Sequence, residues 1–219
     1  MKFSLNTTLI KPENNEQINS AVILLHGYGG DGKDISMLTL SWKRFLKNTV
    51  FLCPDAHEMC SINPSGFQWF DLNKDDPEYI LQETKKAEKV LNEYILEVSN
   101  YFNLEHSQIC ISGFSQGCMM SLNIGLTSYK EFGCIVGFSG RIINMKDLSS
   151  RIKNKTEILM IHGENDTIVP PNNLLEAKDF FIRNKIKIET LMIKNCDHNI
   201  PVEASSAALN FIKKKIISL

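Results

Sequence analysis

No apolar run in the sequence approaches the roughly 20 residues that a membrane-crossing helix requires. The opening residues, Met1-Lys2-Phe3-Ser4-Leu5-Asn6-Thr7-Thr8, lack the sustained apolar stretch of a secretory signal, so a cytoplasmic location is expected. Neither sign of charge dominates: 24 Lys and Arg stand against 25 Asp and Glu, and without a basic stripe no nucleic-acid partner is expected. The six cysteines form no Cys-x-x-Cys pair, and several sit inside apolar runs where the residue acts as a small hydrophobe, so reduced thiols are expected. No Gly-Lys-Ser/Thr follows the glycine-rich loop at residues 26–32, and the loop is not read as a dinucleotide or phosphate cradle. No internal repeat or low-complexity linker divides the 219 residues, and one domain over residues 1–219 is expected.

What is present centres on Gly113-Phe114-Ser115-Gln116-Gly117, a Gly-x-Ser-x-Gly pattern after the β-branched run Ile109-Cys110-Ile111 and before the apolar stretch 118–126. A serine between a buried strand and a buried helix reads as a nucleophile elbow, in which a strained turn pushes the hydroxyl out of the sheet and flanking glycines avoid clashes. The helix N-terminus then aims free N–H groups at a developing oxyanion. Ser139, in Gly137-Phe138-Ser139-Gly140-Arg141, lacks the closing glycine and reads as a loop residue.

Along the chain, residues from about Phe3 to Ile10 read as a first strand, followed by a hairpin or short loop from Pro12 to Asn19. Ala21–Leu25, Val50–Cys53, Ile109–Ile111, Cys134–Phe138 and Glu157–Ile161 are short apolar strands, and Ile186–Ile193 alternates as another. Helices are predicted over Asp34–Leu46 with Asp34 as N-cap, Glu78–Tyr101, the stretch after Ser115, Asn172–Asn184 and Pro201–Ile217. Asp55–Leu72 is irregular. Its aromatics Phe67, Trp69 and Phe70 leave two readings open, a pocket wall and a hydrophobic anchor. Strands alternating with amphipathic helices predict an α/β fold, a mostly parallel sheet with helices on both faces and active groups at the carboxyl ends of the strands.

A serine needs a base, and a histidine serves when a carboxylate fixes its tautomer. Downstream of Ser115 stand only His162 and His198. His162 precedes the acid candidates at a strand end, whereas His198 lies on a loop before the last helix, so His198 is the expected base. Of Glu164, Asp166 and Asp197, the last adjoins His198 too closely in sequence to meet its distal nitrogen, and Asp166 is the expected acid. His26-Gly27-Tyr28-Gly29-Gly30 matches a second source of oxyanion N–H groups, with the backbone amides of Tyr28 and Gln116 as donors and His26 bracing the loop. A thiol mechanism through Cys118 is disfavoured by its apolar neighbours.

With Leu25-His26-Gly27-Tyr28-Gly29, Gln68-Trp69-Phe70-Asp71-Leu72, Gly113-Phe114-Ser115-Gln116-Gly117 and His162-Gly163-Glu164-Asn165-Asp166-Thr167-Ile168-Val169-Pro170 in order, nearly the whole chain resembles the phospholipase/carboxylesterase family, which includes the acyl-protein thioesterases. The resemblance implies an α/β-hydrolase fold without a large cap domain. It implies hydrolysis of carboxylic esters or thioesters without a cofactor or metal, and it carries Ser115, Asp166 and His198 over as a triad with the Tyr28 and Gln116 amides as oxyanion hole. The family usually has Leu where this chain has Tyr28, often a glycine where it has Asp197, and Pro-x-Ala-Pro where it has Pro54-Asp55-Ala56-His57. These departures bear on the substrate more than on the reaction. A small ester is the expected substrate, with a lysophospholipid or an acylated protein as alternatives and a catalytically dead binding module as the rival from another class. Phe67, Trp69, Phe70 and Met119 are the expected acyl-pocket lining. A homodimer contact or a membrane-facing role for residues 67–70 stays open.

Overall fold

The computed structural model describes residues 3–12, 17–74 and 76–216. The short apolar runs 21–25, 50–53, 109–111, 134–138 and 158–161 lie in strands that are covered on both faces. In chain order the strands are β1 (Thr7–Ile10), β2 (Ser20–Leu25), β3 (Thr49–Pro54), β4 (Glu58–Met59), β5 (Phe67–Gln68), β6 (Ile109–Phe114), β7 (Cys134–Phe138), β8 (Ile158–Gly163) and β9 (Ile188–Ile193). Seven of them form one sheet in the order β1-β3-β2-β6-β7-β8-β9, while β4 and β5 pair as a small separate hairpin. All neighbours in the large sheet are parallel except β1 and β3.

Helices cover both faces, and successive side chains of a strand serve opposite ones. Ala21, Ile23, Leu25, Ile109 and Ile111 join a cluster with the apolar stripe of α3 (Pro77–Phe102) and with Met120 and Ile124 of α4 (Gln116–Thr127). Val22, Leu24, Cys110, Val136 and Phe138 join the opposite cluster, with Trp42, Leu46 and the inner face of α7 (Val202–Ile216). Ile135, Ile158 and Met160 pack with α5 (Met145–Arg151) and α6 (Asn172–Arg183) through Leu148, Leu174 and Phe181. Each such large side chain, fully withdrawn from water, contributes about 1.5–3 kcal/mol.

The expected mostly parallel α/β sheet is therefore present, with local differences. The first strand runs from Thr7, and it pairs with β3 rather than turning back as a hairpin on β2; residues 13–16 of the intervening loop lie outside the described residues. The helix expected over Asp34–Leu46 is broken into α1 (Gly32–Ile35), a 3-10 turn at Ser36–Leu38 and α2 (Thr39–Trp42). Its cap is Asp31, whose Oδ1 accepts from the Asp34 N–H at 2.7 Å, so Asp34 itself is not the cap. Phe45, expected on the buried face, is exposed. α3 begins on Pro77 behind an Asp76 cap and ends at Asn103 in the left-handed conformation, φ 52°. The last helix is described as far as Ile216, so Ile217 lies outside the described residues.

Register brings the carboxyl ends together. Leu25 pairs with Gly113, Gly113 with Gly137, and Phe138 with Ile161, so the loops after β2, β6, β7 and β8 open on one edge of the sheet.

Candidate active site

Ser115 sits between β6 and α4 with φ 52° and ψ −115°, a conformation that costs a non-glycine residue about 1–3 kcal/mol. The neighbours that hold it there leave no room for side chains. A Cβ on Gly117 would stand 2.1 Å from the Leu25 carbonyl oxygen, and one on Gly113 would stand 2.3 Å from the Gly117 carbonyl. The Ser115 N–H donates to the Phe138 carbonyl at 2.8 Å, fixing the turn against the end of β7.

The three loops meet in one hydrogen-bonded chain. Ser115 Oγ lies 3.0 Å from His198 Nε2, and His198 Nδ1 lies 2.7 Å from Asp166 Oδ2. The other Asp166 oxygen, Oδ1, accepts from the N–H groups of Ile168 and Val169 at 3.0 and 2.9 Å. With the carboxylate opposite Nδ1, that nitrogen carries the proton and donates it, which leaves Nε2 as the acceptor facing the serine hydroxyl. Burial pushes the Asp166 carboxyl up, but the bonds from His198, Val169 and Ile168 outweigh it and hold the group below the usual carboxylate range. The Phe114 ring flanks His198, centroids 4.7 Å apart. Glu164 and Asp197, the rival acids, take no part in this chain: Glu164 accepts from the Asn195 N–H and the Asp197 carbonyl from the Asn199 N–H.

His162, the rejected base, is buried, and its Nε2–H donates to the Val169 carbonyl at 2.7 Å. The same nitrogen is 3.3 Å from Asp166 Oδ2, so a second imidazole braces the acid loop, a contact that the spacing of residues did not reveal. His26 is likewise internal. Its Nδ1–H donates to the Gly27 carbonyl at 2.7 Å and its Nε2 accepts from the Ala56 N–H at 2.9 Å, while burial lowers its pKa and keeps it neutral. Because a trans peptide is planar, holding the Gly27 carbonyl turns the Tyr28 N–H the opposite way. Among the described residues no protein acceptor takes the backbone N–H of Tyr28 or of Gln116, whereas the Gly29, Gly30 and Ser115 N–H groups are all bonded. Burial pushes the Cys118 thiol up to about 12, which leaves it un-ionised at neutral pH.

The aromatic loop is turned inward. Trp69 and Phe70 are fully interior members of the core, so they form no wall open to a substrate, and Met119 is buried with them. Phe67 is half-buried against the same cluster. The cleft beside the elbow, about 290 Å³, is lined instead by the 26–30 loop, Asp34, Ile35 and Phe114. Phe114 belongs to the elbow motif and Ile35 to the expected helix face, but nothing in their sequence context marked them as cleft walls. A larger cleft of about 620 Å³ lies at the amino ends of the strands, around His106, Tyr129, Lys130 and Lys153, and holds none of the groups above. Among the described residues no cluster of three His, Cys, Asp or Glu has the arrangement of a metal site, and no helix is long and apolar enough to cross a membrane.

Comparisons with known proteins show the family and the fold. The model of the phospholipase/carboxylesterase family matches residues 6–216. Acyl-protein thioesterase 1 of Schizosaccharomyces pombe is 26% identical over 99% of both chains. The crystal structure of esterase PE8 superposes with a TM-score of 0.91 at 30% identity, covering 96% of this chain and 99% of that one. That of SOBER1 from Arabidopsis thaliana shares the fold, with a TM-score of 0.77 at 22% identity over 90% of this chain and 99% of its own.

Proposed function

Because the chain belongs to the phospholipase/carboxylesterase family and is a carboxylic ester hydrolase, we propose that Ser115 is its nucleophile, His198 its general base and Asp166 the acid that orients the histidine. Ser115 Oγ attacks the ester or thioester carbonyl as its proton passes to His198 Nε2. The tetrahedral oxyanion is held by the N–H groups of Tyr28 and Gln116. Collapse expels the alcohol or thiol, which takes the proton from His198, and leaves an acyl-enzyme. Water then gives a proton to the same nitrogen, attacks the acyl carbon and frees the acid and Ser115.

The hydrogen-bonded chain from Ser115 through His198 to Asp166 carries this reading. The modest cleft between Tyr28, Ile35 and Phe114 supports short or flexible acyl groups as substrates. A second reading, an acylated protein as the natural substrate, is favoured by the name of the Schizosaccharomyces pombe relative. Six free, buried cysteines support a cytoplasmic location. The test is hydrolysis of p-nitrophenyl esters from acetate to palmitate by the wild type and Ser115→Ala. Turnover that the substitution abolishes, strongest on the shorter esters, is expected. A folded wild type inert on every ester and thioester contradicts the mechanism, and a strong preference for palmitate contradicts the short-chain reading.

A further inference from the structure

The Tyr28 and Gln116 amides belong to different loops, yet one stretch of chain grips both. On the Tyr28 side, the Asn63 Nδ2–H donates to the Gly29 carbonyl at 2.7 Å. The Gly29 N–H donates to the Phe67 carbonyl at 2.9 Å, and the Phe67 N–H returns to the Gly30 carbonyl at 2.8 Å. The Tyr28 hydroxyl donates to Ser61 Oγ at 2.9 Å, and Ser61 Oγ donates onward to Asn73 Oδ1. On the other side, the Trp69 N–H donates to Gln116 Oε1 at 2.8 Å, and Gln116 Nε2–H donates to the Phe70 carbonyl at 2.6 Å. The Trp69 indole N–H reaches the His26 carbonyl at 3.0 Å and closes the frame. The approach is backbone to backbone: a Cβ on Gly66 would stand 2.1 Å from the Gly29 carbonyl oxygen, so only glycine lets the hairpin seat.

We propose that residues 61–70 are the positioning element of the oxyanion hole, with Asn63 and the Gln116 side chain as positioning residues that set the spacing and aim of the Tyr28 and Gln116 N–H groups. The inference rests on the esterase reading above. The physical demand is exacting, because a donor stabilises a tetrahedral oxyanion only when it already points at the place where charge develops. Both peptide groups of Gly29 are bonded outward to the hairpin and the Gly27 carbonyl is bonded inward, which leaves the Tyr28 N–H as the free donor of that turn. Tyr28 adds a strut through its hydroxyl, an anchor that the leucine usual in the resembled family lacks.

Two variants test this, one on each side. Asn63 is exposed, so Asn63→Ala removes the grip on Gly29 without opening the core; Gln116→Met removes both side-chain bonds to residues 69 and 70 at similar size. On a p-nitrophenyl ester that the wild type hydrolyses, each variant is expected to lose on the order of 10-fold in kcat with KM unchanged. The inhibition constant of a trifluoromethyl ketone, which binds as an oxyanion adduct, is expected to rise by the same factor. Thermal unfolding checks that both variants are folded. Unchanged kcat and inhibition in folded Asn63→Ala and Gln116→Met overturn the proposal. So does a rise in KM at constant kcat, which assigns the stretch to substrate binding. If the wild type neither turns over esters nor binds the ketone, the esterase reading has failed and the proposal falls with it; an active wild type separates the two failures.

Discussion

Asp166 has both oxygens committed, Oδ2 to His198 and Oδ1 to two backbone N–H groups, and its carboxylate is the form those donors favour. Asp166→Asn keeps the shape but offers an amide where His198 needs an acceptor, so the imidazole loses its working tautomer. A loss of roughly 10,000-fold in kcat is predicted, read by steady-state kinetics; a loss of less than about 10-fold contradicts the assignment. The depressed carboxyl also ties stability to pH. Its contribution is present above the unfolded carboxyl's ordinary pKa of about 3.9 and is lost as pH falls through the lower folded value. The difference in unfolding free energy between wild type and Asp166→Asn is therefore predicted to be widest above about pH 4 and to close in acid, as urea titrations at several pH values would report. Ser115, His198 and Asp166 were legible in the sequence as candidates because chain order and elimination favoured one base and one acid, and the fold brings them into one hydrogen-bonded chain. The bracing of Asp166 by His162 was not, since it depends on how the 163–169 turn folds back on β8.

The elbow depends on packing that tolerates no added atom between α4 and β2. Gly117→Ala places a methyl 2.1 Å from the Leu25 carbonyl, and neither backbone can retreat without opening the sheet. A destabilisation of at least about 2–3 kcal/mol is predicted, together with loss of turnover; a variant as stable and as active as the wild type by chemical denaturation and ester assay contradicts this packing account. Which elements were legible follows from burial. Strands β2, β3, β6, β7 and β8 are covered on both faces and read as apolar runs. α5 escaped notice because Leu148 is its sole buried residue, which gives no periodicity to detect. The two-residue strands β4 and β5 lie below the length at which alternation exists. Trp69 and Phe70 looked like pocket walls because a loop aromatic carries no sign of direction. Both of their ring systems are turned into the core, and the chain's hydrogen bonds go to Gln116.

Over the molecule as a whole, a parallel sheet gathers its loops at one edge, so strand–helix alternation already said where the chemistry would lie. The shape of the cleft was not so written, because its walls set the 26–30 loop and the adjoining short helix α1 against Phe114 of the elbow, far from them in sequence. Ile35 is an apolar residue of that wall and takes no part in the triad. Ile35→Trp fills the cleft and is predicted to lower kcat/KM for octanoate by about 10-fold relative to acetate in a p-nitrophenyl ester series. An unchanged ratio places the acyl chain elsewhere. The account as a whole turns on Ser115 being the reacting atom. Treating the folded protein with a fluorophosphonate and mapping the adduct by peptide mass spectrometry tests that directly. A single adduct on the peptide carrying Ser115, absent in Ser115→Ala and strongly diminished in Asp166→Asn, is the predicted result. No adduct on the folded wild type, or an adduct on another residue that survives Ser115→Ala, contradicts it.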